Sequence, residues 1–297
     1  MAPTISSLTG KVAKSLGLEV WMDRVIERAD RIKPEWKADD IHDLRVALRR
    51  CRTMAETLNE VVPDPGWRKL KKASRELFHA LGDFRDIQVK RALIKKVETP
   101  GDPLRKYMLR HLGRQEKKQR NAAENALESF DQKSWRKWSR KLSLKAQFFP
   151  VESVVFQRIA LARLNEAAHL YQLAREKKSS AAWHQTRIGI KRFRYIVENF
   201  LPQRHEVWDK DLKQMQDLLG DLHDMDVLRS DVRRLSKKFT PAVVSASLEK
   251  IDADRKKCLR DFLAKTSAEH SPWIIWRAGF QWGHAVAAAS PPQRRTA

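Results

Sequence analysis

The sequence predicts an all-α protein built as two pseudo-symmetric antiparallel four-helix bundles, and three observations carry that expectation. No segment sustains the strict apolar-polar alternation of a strand, and glycine is scarce, at ten residues in 297. Apolar residues recur instead at spacings of three and four, the period of a helix buried on one side. The basic stretch that begins at His42 returns from His184 onward, with five cationic or cationisable positions matched. Such self-similarity marks an internal repeat and divides the chain into two related halves, read as residues 1–150 and 151–290, with 291–297 as a frayed tail.

Taken in order, residues 11–33 carry Val12, Leu16, Leu18, Val20, Trp21, Val25 and Ile26 among charges and stop before Pro34, which fits a first amphipathic helix. Asp39 or Asp40 suits the N-cap of a second helix, which ends before the turn sequence Pro63-Asp64-Pro65-Gly66. That cap would place His42 in the first turn, where free backbone N–H groups and the helix dipole favour an anion. A third helix is expected from about Trp67. A fourth starts at Pro103 and runs through the basic segment Arg110 to Arg120. Residues 133–147, a basic segment with Trp135 and Trp138 that leads to Pro150, are read as the junction between halves. A fifth helix runs from Val154 to about Lys178, and Pro241 opens the repeat's counterpart of the fourth. The aromatic-rich segment Trp273 to Val286 is expected to dock as a terminal helix.

Sixty Lys and Arg against 37 Asp and Glu leave a net charge of +23. An excess of that size repels itself in a compact state and points to a polyanionic partner: nucleic acid, inorganic polyphosphate or an anionic membrane surface. The two cysteines, Cys51 and Cys258, are isolated, and Cys51 falls on an apolar helix face, so buried free thiols are expected rather than a disulfide or a metal site. No apolar run is long enough to span a membrane. Met1 to Leu18 lacks the features of a signal peptide, so the expected location is the cytoplasm.

The repeated stretch reads His42-Asp-Leu-Arg45-Val-Ala-Leu-Arg49-Arg50-Cys-Arg52, and its copy reads His184-Gln-Thr-Arg187-Ile-Gly-Ile-Lys191-Arg192-Phe-Arg194. At about 100° per residue, His42, Arg45, Arg49 and Arg52 fall within an arc of about 80°. Leu44, Ala47, Leu48, Cys51, Met54, Ala55 and Leu58 occupy the opposite side, and the second copy repeats the division. Each half therefore offers a helix with one cationic stripe and one core stripe. Arg50 and Arg192 point about 80° away from the histidines, off the stripe.

A second motif follows in each half, Leu81-Gly82-Asp83-Phe84-Arg85-Asp86 against Leu219-Gly220-Asp221-Leu222-His223-Asp224. On its helix Lys72, Arg75, His79, Gly82 and Asp86 share a stripe, as do Lys210, Lys213, Asp217, Gly220 and Asp224. Glycine inside a helix costs about 1 kcal/mol relative to alanine. Its recurrence on the polar stripe therefore suggests close approach of a ligand or of a neighbouring helix.

With both motifs paired, the sequence resembles the CHAD domain family over nearly the whole chain. That resemblance implies two four-helix bundles about a pseudo-twofold axis, a basic central pore or cleft that binds inorganic polyphosphate, and, in some members, association with polyphosphate granules. The chain departs from the pattern at Lys191, which stands for an Arg, at His223, which stands where the first copy has Arg85, and at Gln88, opposite Asp226. No run of alternating strands is left over for a triphosphate-tunnel module.

Polyphosphate carries about one charge per phosphate and no base edge, so a binder needs dense donors, and the planar fork of Arg suits phosphate oxygens at any accessible pH. The expected phosphate-binding set is His42, Arg45, Arg49, Arg50, Arg52, His184, Arg187, Lys191, Arg192 and Arg194, with Lys72, Arg75, Lys210 and Lys213 as a second rank. No cofactor and no metal are expected, since the cations around each histidine would repel a metal ion. The pairs His42-Asp43 and His223-Asp224 are also what an HD-type phosphohydrolase would need, but they occupy non-equivalent positions and Asp43 becomes Gln185 in the repeat. The expectation is therefore a non-enzymatic binder. Nucleic acid is the alternative partner, resting on the same phosphate contacts, although the stripes hold no aromatic for stacking bases apart from the adjacent Tyr195. Membrane binding through Trp273 to Arg277 is the weaker option.

Overall fold

The computed structural model describes residues 17–32, 36–267 and 271–280 and contains no strand among them. The first half holds α1 (Leu18–Ile32), α2 (Ala38–Val61), α3 (Pro65–Ala73), α4 (Arg75–Val97), α5 (Pro103–Glu128) and α6 (Gln132–Ala146). The second holds α7 (Val154–Lys177), α8 (Ser180–Phe200), α9 (Pro202–Arg234), α10 (Pro241–Ser267) and α11 (Pro272–Ala278), with a 3-10 turn at Ser236–Lys238. The onset expected for the first helix before residue 17, the stretch after Phe280 and the tail 291–297 lie outside the described residues.

Local chemistry explains most of the boundaries. Proline opens α3, α5, α9, α10 and α11, where its missing N–H is not needed. Asp64 accepts from Gly66 N at 2.6 Å, Asp102 from Leu104 N at 2.7 Å, and Asp131 from Ser134 N at 2.9 Å. The second helix begins earlier than expected: Lys37 flanks it with no side-chain cap, and Asp39 and Asp40 lie in its first turn, where the dipole favours carboxylates. His42 therefore falls past the free N–H groups, as does His184 in α8, which is capped by Ser179 through Ala182 N at 3.2 Å.

The expected third helix is broken at Ser74 into α3 and α4. The Ser74 hydroxyl donates to Leu70 O at 3.1 Å and accepts from Arg52 Nη1 at 3.2 Å, so a local bond competes with the helix ladder at that point. The counterpart α9 is continuous over 33 residues. Residues 133–147, read from sequence as the junction, fall almost wholly in α6, which packs on α1 and α3. Trp135 is fully buried there and donates to Met22 O at 2.9 Å, so the segment belongs to the first half and the connection follows it.

The halves meet through like elements, α2 against α8 and α4 against α9. The core is not divided between two separate bundles. One apolar cluster runs from Met22, Leu44, Leu48 and Trp67 through to Ile190, Phe193, Phe200 and Trp276, because the α2–α8 contact fuses the two interiors. A second cluster joins α4 and α5 to α9 and α10 through Ile94, Leu104, Leu228, Val232 and Ile251. Cys51 lies in the first cluster, and burial pushes its thiol far above the usual range. No described helix is long and apolar enough to cross a membrane.

A cationic cleft between the halves

The α2–α8 contact sets the basic stripes of the two halves beside each other. Arg45 and Arg49 lie one turn apart on α2, and Arg187 and Lys191 one turn apart on α8. Two cavities open along this seam. The first, about 460 Å³, is lined by Arg49, Arg52, Phe78, Arg163, Arg192 and Tyr195. The second, about 440 Å³, is lined by Arg45, Asp86, Lys90, Arg187, Lys191, His223 and Asp224. Successive turns of the same two helices therefore supply both cavities.

Some cations of the cleft are paired, Arg163 with Glu60 and Arg192 with Glu166, each at 2.9 Å, but those at its centre are not. Among the described residues Arg49, Arg187 and Lys191 make no ion pair, and the Nε atoms of Arg49 and Arg187 are buried without a hydrogen-bond partner. Arg45 donates only to the Phe78 carbonyl, at 3.0 Å. Burial, then the positive charges of Arg187, Arg49 and Arg45, pull the Lys191 ammonium down to about 8, with Asp86 opposing weakly. Burial also lowers Arg45, with Asp86 opposing. On the other side of the balance, burial raises the Asp224 carboxyl while Arg187 lowers it.

Aromatic faces in the cleft are covered by cations. The Arg49 guanidinium lies 4.7 Å from the Tyr195 ring centroid, with Lys191 Nζ at 6.0 Å from the same ring. Arg45 and Arg52 each lie 5.0 Å from the Phe78 ring. Gly82 is what lets Arg45 take this position, because a Cβ there would stand 2.6 Å from Arg45 Nη1. Gly220 has open space at the equivalent point, and the close approach expected for both glycines is met at one.

The histidines form a satellite group. His184 Nδ1 lies 3.2 Å from His223 Nδ1, so one ring carries the proton of that bond and the other accepts it. Burial, then Arg187, depress both rings, His223 to about 4. His42 is lowered by burial, Arg85 and Arg49, against Asp43. Asp43 itself pairs with Arg28 of α1 at 3.3 Å. Among the described residues no three His, Cys, Asp or Glu side chains gather as a metal site.

Of the expected set, Arg45, Arg49, Arg52, Arg187, Lys191 and Arg192 line the two cavities. Arg52 is also tied down, donating to Lys71 O at 2.8 Å, and Arg192 is paired with Glu166 at 2.9 Å. Arg50 lines neither cavity: it is ion-paired with Glu198 of α8 and stacks on Trp21 at 4.3 Å. Arg194 lies 3.6 Å from Asp209. Lys72, Arg75, Lys210 and Lys213 are exposed and line neither cavity. The structure adds Lys90 and Arg163, which sequence reasoning did not place at a binding site. Lys90 was within reach, since it continues the Gly82–Asp86 stripe by one more turn, whereas nothing in the sequence marks Arg163.

A family model described as "CHAD domain" matches residues 22–233. Two solved structures share the fold. The CHAD domain from the plant Ricinus communis is 21% identical, with 90% of each chain covered and a TM-score of 0.57. PptA from Streptomyces chartreusis is 15% identical, covering 83% of this chain and 95% of that one, with a TM-score of 0.62. No curated protein matches the chain.

Proposed function

The chain belongs to the CHAD domain family, and from that membership and the cleft we propose that it binds inorganic polyphosphate between its two halves, without acting on it, in association with polyphosphate granules. The observation that carries this reading is that Arg45 and Arg49 of α2 and Arg187 and Lys191 of α8 converge and that, among the described residues, no carboxylate lies within ion-pair distance of Arg49, Arg187 or Lys191. Folding such a cluster is costly, and a chain of phosphates running along the seam supplies the missing counter-charges. Guanidinium groups suit this task because each offers a planar fork of donors to neighbouring oxygens. Neutral His184 and His223 add donors at the edge that become cationic when an anion arrives.

Nucleic acid would draw on the same cations, but single strands gain specificity for a site by stacking bases on free aromatic faces. In this cleft the faces of Phe78 and Tyr195 carry guanidinium and ammonium groups instead. That covering favours a ligand made of phosphate alone.

The test is a titration with long-chain polyphosphate beside single-stranded RNA at equal phosphate concentration, in low and fourfold higher salt. About eight phosphate contacts cost roughly a thousandfold in affinity over a fourfold rise in salt. Polyphosphate that survives the higher salt while RNA is lost supports the reading. Equal binding, or a preference for RNA, overturns it.

A further inference from the structure

Two lysines line the second cavity, and their surroundings are opposite. Lys90 Nζ sits 3.2 Å from the Asp231 carboxylate, in an ion pair. Lys191 has no carboxylate within ion-pair distance among the described residues; what acts on it is Arg187, Arg49 and Arg45, with Asp86 opposing. A primary amine is thus held beside two guanidinium groups, Arg45 and Arg187, in a cavity of about 440 Å³ that is open to a small anion.

We propose that Lys191 is an acylation site for acyl phosphates, with the phosphate of the reagent seated on Arg45 and Arg187 and the acyl carbon presented to the Lys191 amine. The inference rests on the cleft being a phosphate site. In the step the neutral Nζ adds its lone pair to the carbonyl carbon and forms the C–N bond. The C–O bond to phosphorus then breaks, and phosphate leaves with that electron pair onto the guanidinium groups. The spare Nζ proton passes to the departing phosphate or to water. No redox partner is needed, and the product is a neutral amide where a cation stood.

Burial and like charge also supply the reactive form. A lysine titrating near 8 is about half free amine at that pH, against roughly 0.3% for one titrating near 10.5. Acylation removes one of the four converging cations and places a neutral amide in the cavity. Binding of the polyanion and acylation therefore oppose each other, which makes the modification a way of weakening the cleft.

The experiment incubates the full chain with acetyl phosphate at pH 8 and follows each lysine by peptide mass spectrometry, beside a succinimidyl acetate reaction as a phosphate-free acyl donor. The expected result is that acetyl phosphate modifies Lys191 about tenfold faster than ion-paired Lys90 or exposed Lys72, because the Arg45 and Arg187 guanidinium groups seat the reagent beside it. Added polyphosphate should suppress that reaction, and the succinimidyl ester should show a smaller Lys191 to Lys72 ratio. A ratio for acetyl phosphate no higher than for the ester, or no preference over Lys90, overturns the inference. Pretreatment should also lower polyphosphate affinity of the natural chain, about tenfold for a lost charged contact, and should leave Lys191→Arg where it started. Polyphosphate binding is measured separately on untreated chain. Binding without preferential labelling sinks the acylation site alone, whereas absent binding sinks the reading of the cleft as a polyphosphate site.

Discussion

Arg50 of α2 is ion-paired with Glu198 of α8, and its Nη1 also donates to Glu198 O and Asn199 Oδ1, each at 3.3 Å. The two side chains are only 16% and 9% exposed, so the pair is withdrawn from water and joins the halves directly. Removing one partner leaves the other charge buried. Arg50→Ala is expected to lower stability by about 2–4 kcal/mol, measured by urea denaturation. Arg192→Ala, which breaks an exposed pair with Glu166, is expected to cost under about 1 kcal/mol. Equal costs would mean that Arg50 is not a fastener between halves.

Lys191 gives a prediction of opposite sign. It titrates near 8 in the fold and near 10.5 in the unfolded chain, so between those values the unfolded chain binds more protons and stability rises with pH. Lys191→Met is therefore expected to stabilise the free protein by about 1–3 kcal/mol at pH 7, an advantage that shrinks above pH 8 and closes beyond 10.5, while polyphosphate binding weakens. A destabilised variant at pH 7 would remove the charge strain assigned to this group.

The paired histidines set the acid side. Their folded values are depressed, His223 to about 4, so the unfolded chain takes up protons first and the stability they support is lost as pH falls from about 6.5 toward 4. A bound polyanion raises the same groups, so affinity for polyphosphate should increase as pH is lowered from 8 to 5.5, with proton uptake visible in calorimetry. His223→Gln should flatten both profiles. A flat binding curve in the natural protein would take His42, His184 and His223 out of binding.

Gly82 and Gly220 are equivalent in sequence and opposite in consequence. A methyl group at Gly82 meets Arg45 Nη1, whereas at Gly220 it meets nothing within 4 Å. Gly220→Ala should gain about 0.5–1 kcal/mol from helix propensity alone and leave binding unchanged. Gly82→Ala should displace Arg45 and weaken polyphosphate binding several-fold. The same response from both would show that Arg45 does not depend on the gap.

The helical class, most helix starts and the cationic stripes were legible because each depends on local signals: the 3.6-residue period, prolines and Asp caps, and a motif written twice. Arg50 counts among the expected phosphate ligands as a repeated cation of the motif, although periodicity turns it about 80° off the histidines, and what such a residue meets is decided by the other half's position. Ser74 could not be read as a break, since its effect depends on Arg52 reaching it from another helix. The joining of the two interiors into one core was not legible for a related reason. A helix sequence records how much of its surface is apolar, and not that α2 and α8 would bury part of it against each other.

The shift of 142 positions that relates His42 to His184 relates Arg50 to Arg192 and Glu56 to Glu198 as well. Two identical subunits meeting about a twofold axis would make such a bridge twice or not at all. Here Arg50 holds Glu198, but Arg192 goes to Glu166 and Glu56 to Lys71, each at 2.9 Å, and both Arg192 and Glu56 border the first cavity. The cavity stands where the second bridge would have closed it. Tandem duplication within one chain gave its halves a freedom that a homodimer lacks: one side became a permanent clasp, and its mirror position became an entrance.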